Sequence, residues 1–86
     1  MENNKKKHIE EFWPDALFCV GHDNAIIGIA DTFHRNDIVL YDTDIIIKNL
    51  MEDGMSNEEA IEYFRFNIVG SYLGDQTPIY ATIIKD

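Results

Sequence analysis

Cys19, His22, Asp23 and His34 are the residues whose types allow covalent or metal chemistry, and they fall close together in the sequence. A cysteine nucleophile needs an activated thiolate and a base that is itself held in place. Cys19 stands in an apolar run, where a small buried hydrophobe is the better reading. His22-Asp23 lacks the further His and Asp residues of a metal phosphohydrolase, so a turn accounts for it. No Cys or His pair has zinc-site spacing. Asp37, Asp42 and Asp44 offer a weak cation site on paper, yet Asp42-Thr-Asp44 is explained as helix capping. Neither a phosphate-binding glycine loop nor a nucleophile elbow occurs in the chain. The residues therefore argue for no enzyme, no cofactor and no metal.

A second group is better suited to recognition than to reaction. Asn67 and Gly70 stand inside a helical pattern, where each costs roughly 0.5–1 kcal/mol relative to alanine. One reading has Gly70 admitting a neighbouring backbone and Asn67 bonding a loop such as Thr77-Pro78. The other has Tyr63, Asn67 and Tyr72 lining a pocket.

The element that must position these residues is a helix expected over about 56–73. Ser56 as N-cap and Glu59 three residues on have the spacing of a capping box. Glu58, Glu59 and Glu62 place negative charge at the positive end of the helix dipole. Gly74 and Pro78 supply the stop. Ile61, Phe64, Ile68 and Tyr72 form a core stripe at three-to-four-residue spacing, and Phe66, Val69 and Leu73 form a second stripe. The second stripe packs either inside the fold or against a second copy or partner.

Around that helix the sequence reads as strands at 15–20, 25–30 and 38–41, a helix at about 43–53, and a last strand at 79–84. Gly21-His-Asp-Asn24 reads as the turn of a hairpin joining the first two strands. Gly28 reads as a bulge or a close contact. The order β-β-β-α-α-β gives an α+β domain. The expected architecture has two layers: an about four-stranded, mainly antiparallel sheet with an α-hairpin packed on one face. The last strand would lie beside the first or the third. The remaining sheet face, with Ile27, Ile29, Val39, Tyr41, Tyr80 and Ile84, would suit a homodimer. Residues 1–8 read as a flexible basic tail ahead of a single acidic domain over 9–86.

Charge is the strongest compositional fact. Sixteen acidic residues face seven basic ones in 86, a formal charge of −9. Lys5, Lys6 and Lys7 hold three of the basic charges, so residues 9–86 carry 15 acidic and four basic side chains. A field of that sign repels nucleic acid and anionic lipid and attracts basic protein surfaces. No apolar run approaches the roughly 18 residues of a membrane span. No signal-peptide pattern is present, and the single Cys19 suits a reducing compartment, so the expected location is cytoplasmic.

The run Gly54-Met55-Ser56, Glu58-Glu59-Ala60, Glu62-Tyr63-Phe64, Phe66-Asn67, Gly70, Tyr72, Gly74 and Thr77-Pro78 has the form GMSxEEAxEYFxFNxxGxYxGxxTP. It resembles a signature of small uncharacterised proteins of phages, prophages and bacteria. Asp15-Ala-Leu-Phe18, Ala25–Ala30 and Leu40-Tyr-Asp42 are similar to that family as well, so the resemblance spans about residues 12–82. Departures at Arg65, Ser71 and Asp75 leave it intact. It implies a phage or prophage setting and carries no assigned activity. The expectation is thus a small acidic interaction module that binds, and inhibits, a basic host or nucleic-acid-binding protein, with acidic mimicry of DNA as one version. Glu58, Glu59, Glu62 and Asp75 are its partner-binding candidates. A non-catalytic homo-oligomer through Phe66, Val69 and Leu73 is the alternative.

Overall fold

Asn4–Phe12 form the first helix, α1, in a computed structural model that describes residues 4–85. A flexible tail was expected over the first eight residues; residues 4–8 are instead helical, and residues 1–3 lie outside the described part. Lys6/Glu10 and Lys7/Glu11 have i,i+4 spacing, and straight-chain residues of this kind lose little side-chain freedom in a helix. Tertiary contacts then fix α1. Ile9 is buried, Lys5 Nζ donates to the Ile26 carbonyl at 3.4 Å, and Lys6 Nζ pairs with Asp23 at 3.3 Å. One buried apolar residue in nine gives no readable periodicity, which is why the sequence hides this helix.

The strand expected over residues 15–20 does not form, and residues 16–19 run without a strand partner. A 3₁₀ turn, Asp23–Ala25, follows in place of a hairpin turn. The sheet has three strands in the order β1 (Ile26–Ala30), β2 (Ile38–Asp42), β3 (Ile79–Ala81). β1 pairs antiparallel with β2, and β3 pairs parallel with it, so the sheet is mixed and not four-stranded. The α+β class holds, with the element order changed to α-β-β-α-α-β. β3 lies beside the expected third strand, one of the two positions foreseen for it. Its pairing stops at Ala81, because Asp42, the partner of Ala81, is where β2 turns into a helix. The register slips between Ile26 and Gly28, which is the expected bulge. A Cβ on Gly28 would meet nothing within 4 Å, so close packing is not its reason.

α2 (Thr43–Glu52) starts where Asp42 Oδ1 accepts from the amides of Asp44 and Ile45. α3 (Asn57–Tyr63) starts at the capping box: Glu59 N–H donates to Ser56 Oγ at 3.2 Å, and Ser56 N–H donates to Glu59 Oε1 at 2.8 Å. The helix then changes character. Phe64–Val69 form a π-helical segment, and helical structure ends at Gly70, short of the expected Leu73. Gly74, at φ +106°, opens the next turn instead of capping the helix.

The core joins Ile9, Ile26, Val39, Tyr41, Ile46, Leu50, Ala60 and Phe64. Alternation puts Ile29, Val39 and Tyr41 on one sheet face with Tyr80, and the α2–α3 hairpin packs there. Val39 and Tyr41 are fully buried, so they do not offer the dimer face expected of them. Ile38, on the reverse face, is fully buried too; Ile27 and Ile84 remain exposed. Among the described residues no helix is long and apolar enough to cross a membrane.

Candidate functional site

The sequence places acid at the start of α3 and bulky apolar residues in the π-segment, and the fold leaves both uncovered. Glu58 and Glu62 are exposed one turn apart, and they line one shallow hollow with Ile61, Arg65 and Phe66. Phe66 is 74% exposed, Tyr72 69% and Leu73 63%; Tyr63 and Val69 are exposed as well. The expected core stripe therefore stops at Ile68. A π-turn takes more residues per turn than an α-turn, so the face presented to the core shifts after Phe64, and the chain leaves helical geometry at Gly70 before Tyr72 can return to it. The second stripe, Phe66, Val69 and Leu73, is exposed, so of the two placements open to it the one inside the fold does not hold.

The acidic candidates separate in the structure. Glu59 already serves the capping box, and the Ser56 amide that it accepts holds its carboxyl below the usual range. Asp75 accepts from the Tyr72 hydroxyl at 3.2 Å and lines a different hollow with Asp15 and Asp37. Of the four acidic candidates, Glu58 and Glu62 share one hollow with Phe66. The expected pocket separates as well. Tyr63 and Asn67 line a hollow with Met55, Glu62 and Phe66, whereas Tyr72 lines the groove on another side of the segment. Asn67 bonds through its carbonyl, which accepts from Ser71 Oγ at 2.8 Å. Thr77, the loop partner foreseen for it, is taken by Leu73 N–H at 2.7 Å.

That groove, of about 670 Å³, lies between α2, the π-segment and β3. Both arginines of the chain line it, Arg35 and Arg65, as do Asp44, Phe64, Thr77 and Tyr80. Arg35 Nη2 donates to the Thr77 carbonyl at 2.7 Å, while Arg35 Nε is buried without a hydrogen-bond partner. An unsatisfied buried donor costs about 1–3 kcal/mol. The sequence reading passed over this groove. Its one signal was the presence of two arginines in a chain otherwise dominated by carboxylates.

The nucleophile candidates are all engaged elsewhere. Cys19 is half-buried beside the Tyr80 hydroxyl, and burial pushes its thiol up, away from an activated thiolate. His22, 8% exposed, has its Nδ1 3.0 Å from Asn49 Nδ2. Asn24 and Asn49 exchange amide hydrogen bonds at 2.7 and 3.0 Å. Asn49 Oδ1 is thereby the acceptor and its Nδ2 the donor, so Nδ1 of His22 accepts and the ring proton sits on Nε2. Burial holds His22 below its ordinary value, against the opposing pull of Asp53 and Asp23. His34 is exposed, edge-on to Phe33. Among the described residues no group of three or more His, Cys, Asp or Glu is placed to hold a metal. Asp42 caps α2, as the sequence suggested, and Asp37 N–H bonds Asp31 instead.

Comparison with family models, with curated proteins and with solved structures finds no match to this chain.

Proposed function

We propose that this chain is a small acidic protein-interaction module, and that it grips a basic partner protein through the exposed face of α3 and its π-helical continuation. The observation that carries the reading is the exposure of Phe66 beside the carboxylates of Glu58 and Glu62, with Tyr72 and Leu73 exposed just beyond the π-segment. A small domain gains stability by burying large apolar side chains, so several left outside on the π-segment and the loop after it are best explained by a surface that meets something. Apolar anchors give such a contact its strength, and the surrounding charge sets partner choice and association rate. The net −9 selects a basic partner, and the phage or prophage setting implied by the signature suits blockade of a host protein.

Capture from nuclease-treated bacterial lysate at low and high salt tests this with three proteins: the parent, Phe66→Ala, and Glu58→Gln/Glu62→Gln. A basic protein retained by the parent, weakened in both variants and released by salt is the expected result. Retention that neither variant changes would remove α3 as the contact. Homo-oligomerisation is the second reading, favoured by Phe66, Val69 and Leu73. Light scattering on the parent and on Phe66→Ala separates it from the first: a parent dimer that becomes a monomer in the variant assigns the surface to self-association.

A further inference from the structure

We propose that the groove between α2, the π-segment and β3 binds a small ligand carrying a phosphate or carboxylate group on an apolar, ring-containing body. The charge distribution points there. The folded region is strongly acidic, yet both arginines of the chain line this one groove, against the single carboxylate of Asp44. Arginine presents a planar fork of N–H donors that matches a carboxylate or phosphate, and a site holding two of them attracts an anion although the whole molecule repels it. Arg35 is held there by the Thr77 carbonyl through one Nη, and its buried Nε has no acceptor within the protein. Arg65, which is exposed, lines the same groove.

The floor supplies the second half of the specificity. Phe64 and Tyr80 line the groove and meet edge to face, with ring centroids 5.4 Å apart. Val69 and Tyr72 reach the same groove from the π-segment and the loop after it. In a π-helix residues five apart lie near one face, which lets Phe64 and Val69 line one wall together. The volume, about 670 Å³, is in the range of small-molecule sites, roughly 300–1,000 Å³. The groove adjoins the Glu58/Glu62 hollow, which Ile61 and Arg65 also border, but binding in the groove does not rest on what that surface binds.

The two Arg Nε–H signals of ¹⁵N-labelled protein give a direct readout, since the chain has only two arginines. Phenyl phosphate, benzoate, inorganic phosphate and benzylamine are titrated in turn. Phenyl phosphate or benzoate should move both signals saturably, and whichever binds more tightly names the anion; benzylamine should move neither. Arg65→Gln, an exposed position, should weaken binding on the order of tenfold. Asp44→Asn should tighten it, and Lys48→Gln, on an exposed part of α2, should leave it unchanged. The absence of a saturable response to either ring-bearing anion overturns the proposal, and so does equal affinity in Arg65→Gln. Inorganic phosphate binding as tightly as phenyl phosphate would overturn the ring-containing class, because the aromatic floor would then contribute nothing.

Discussion

The hydroxyl of Tyr41 accepts a hydrogen bond from the backbone N–H of Cys19 at 2.7 Å, and this side chain takes the place of the neighbouring strand expected at residues 15–20. Tyr41 is fully buried on the central strand and stacks on Tyr80 at 5.7 Å. Tyr41→Phe keeps the ring and orphans the Cys19 amide, so a loss of about 1–3 kcal/mol in urea unfolding is expected. The phenol also sets an alkaline limit. Burial pushes Tyr41 up to about 12 from an ordinary value of 10.0. A raised folded value means that the stabilisation is complete below the unfolded value and fades as pH rises from there to the folded one. The parent should therefore lose stability between pH 10.0 and about 12, and Tyr41→Phe should lose less over that interval. Urea midpoints across the alkaline range decide it; parallel curves for the two proteins would contradict the assignment.

His22 sets the acid side. Its Nδ1 accepts from Asn49, an arrangement that a second ring proton would break, and burial lowers its affinity for that proton. A depressed folded value means that the stabilisation is present above the unfolded value of 6.5 and is lost as pH falls below it. Stability of the parent should fall on acidification from neutrality, before most carboxylates titrate. His22→Gln, which has no such titration, should show a flatter profile over that range. An identical slope in both proteins would assign the acid sensitivity to other groups.

Legibility in the sequence followed how local each determinant is. Ser56, Glu59 and Asp42 announced their helix starts because a cap is satisfied within three residues, and the structure realises all three contacts. β1 and β2 were legible as short β-branched runs. Residues 15–20 are apolar too apart from Asp15, though only Val20 is β-branched, and they form no strand, because β1 takes β2 as its partner and Tyr41 satisfies the Cys19 amide. Helix α1 depends on Lys5 and Lys6 reaching Ile26 and Asp23, contacts no local pattern encodes. The acid-and-apolar α3 surface could be read from residue type. The presence of Arg35 and Arg65 in one groove could not, since they stand 30 residues apart in the chain until the α-hairpin folds back.

Gly70 tests the π-segment. Its N–H donates to the Arg65 carbonyl five residues back, at 3.1 Å, and a Cβ built on it would lie 2.8 Å from the Phe66 oxygen. The close approach that the sequence suggested at Gly70 thus comes from its own preceding turn. That oxygen is backbone and cannot swing aside, so Gly70→Ala should destabilise the protein by about 1–3 kcal/mol, the range for overpacking. Hydrogen exchange should show the loss concentrated at the amides of residues 66–71. An unchanged Tm with unchanged exchange would mean that the segment relaxes into an ordinary α-turn without penalty.

Thr77 joins three parts of the chain that carry the groove. Its hydroxyl donates to the Gly74 carbonyl at 2.6 Å and accepts from Leu73 N–H at 2.7 Å, and its carbonyl holds Arg35 Nη2. The residue is buried, so Thr77→Val, nearly equal in shape, leaves the Leu73 N–H without its acceptor, while the Gly74 carbonyl keeps the Thr77 N–H and the Arg35 contact to the main chain can persist. A loss of about 2 kcal/mol is expected, in the range for buried groups left unpaired. Thr77→Ser retains the hydroxyl and should recover most of it. Because the lost bonds close the turn at 73–77, Thr77→Val should also shift the backbone amide signals of Leu73 to Gln76 while leaving those of α1 in place. Equal stability of Thr77→Val and Thr77→Ser would show that the methyl group, and not the hydrogen-bonded turn, is what the position requires.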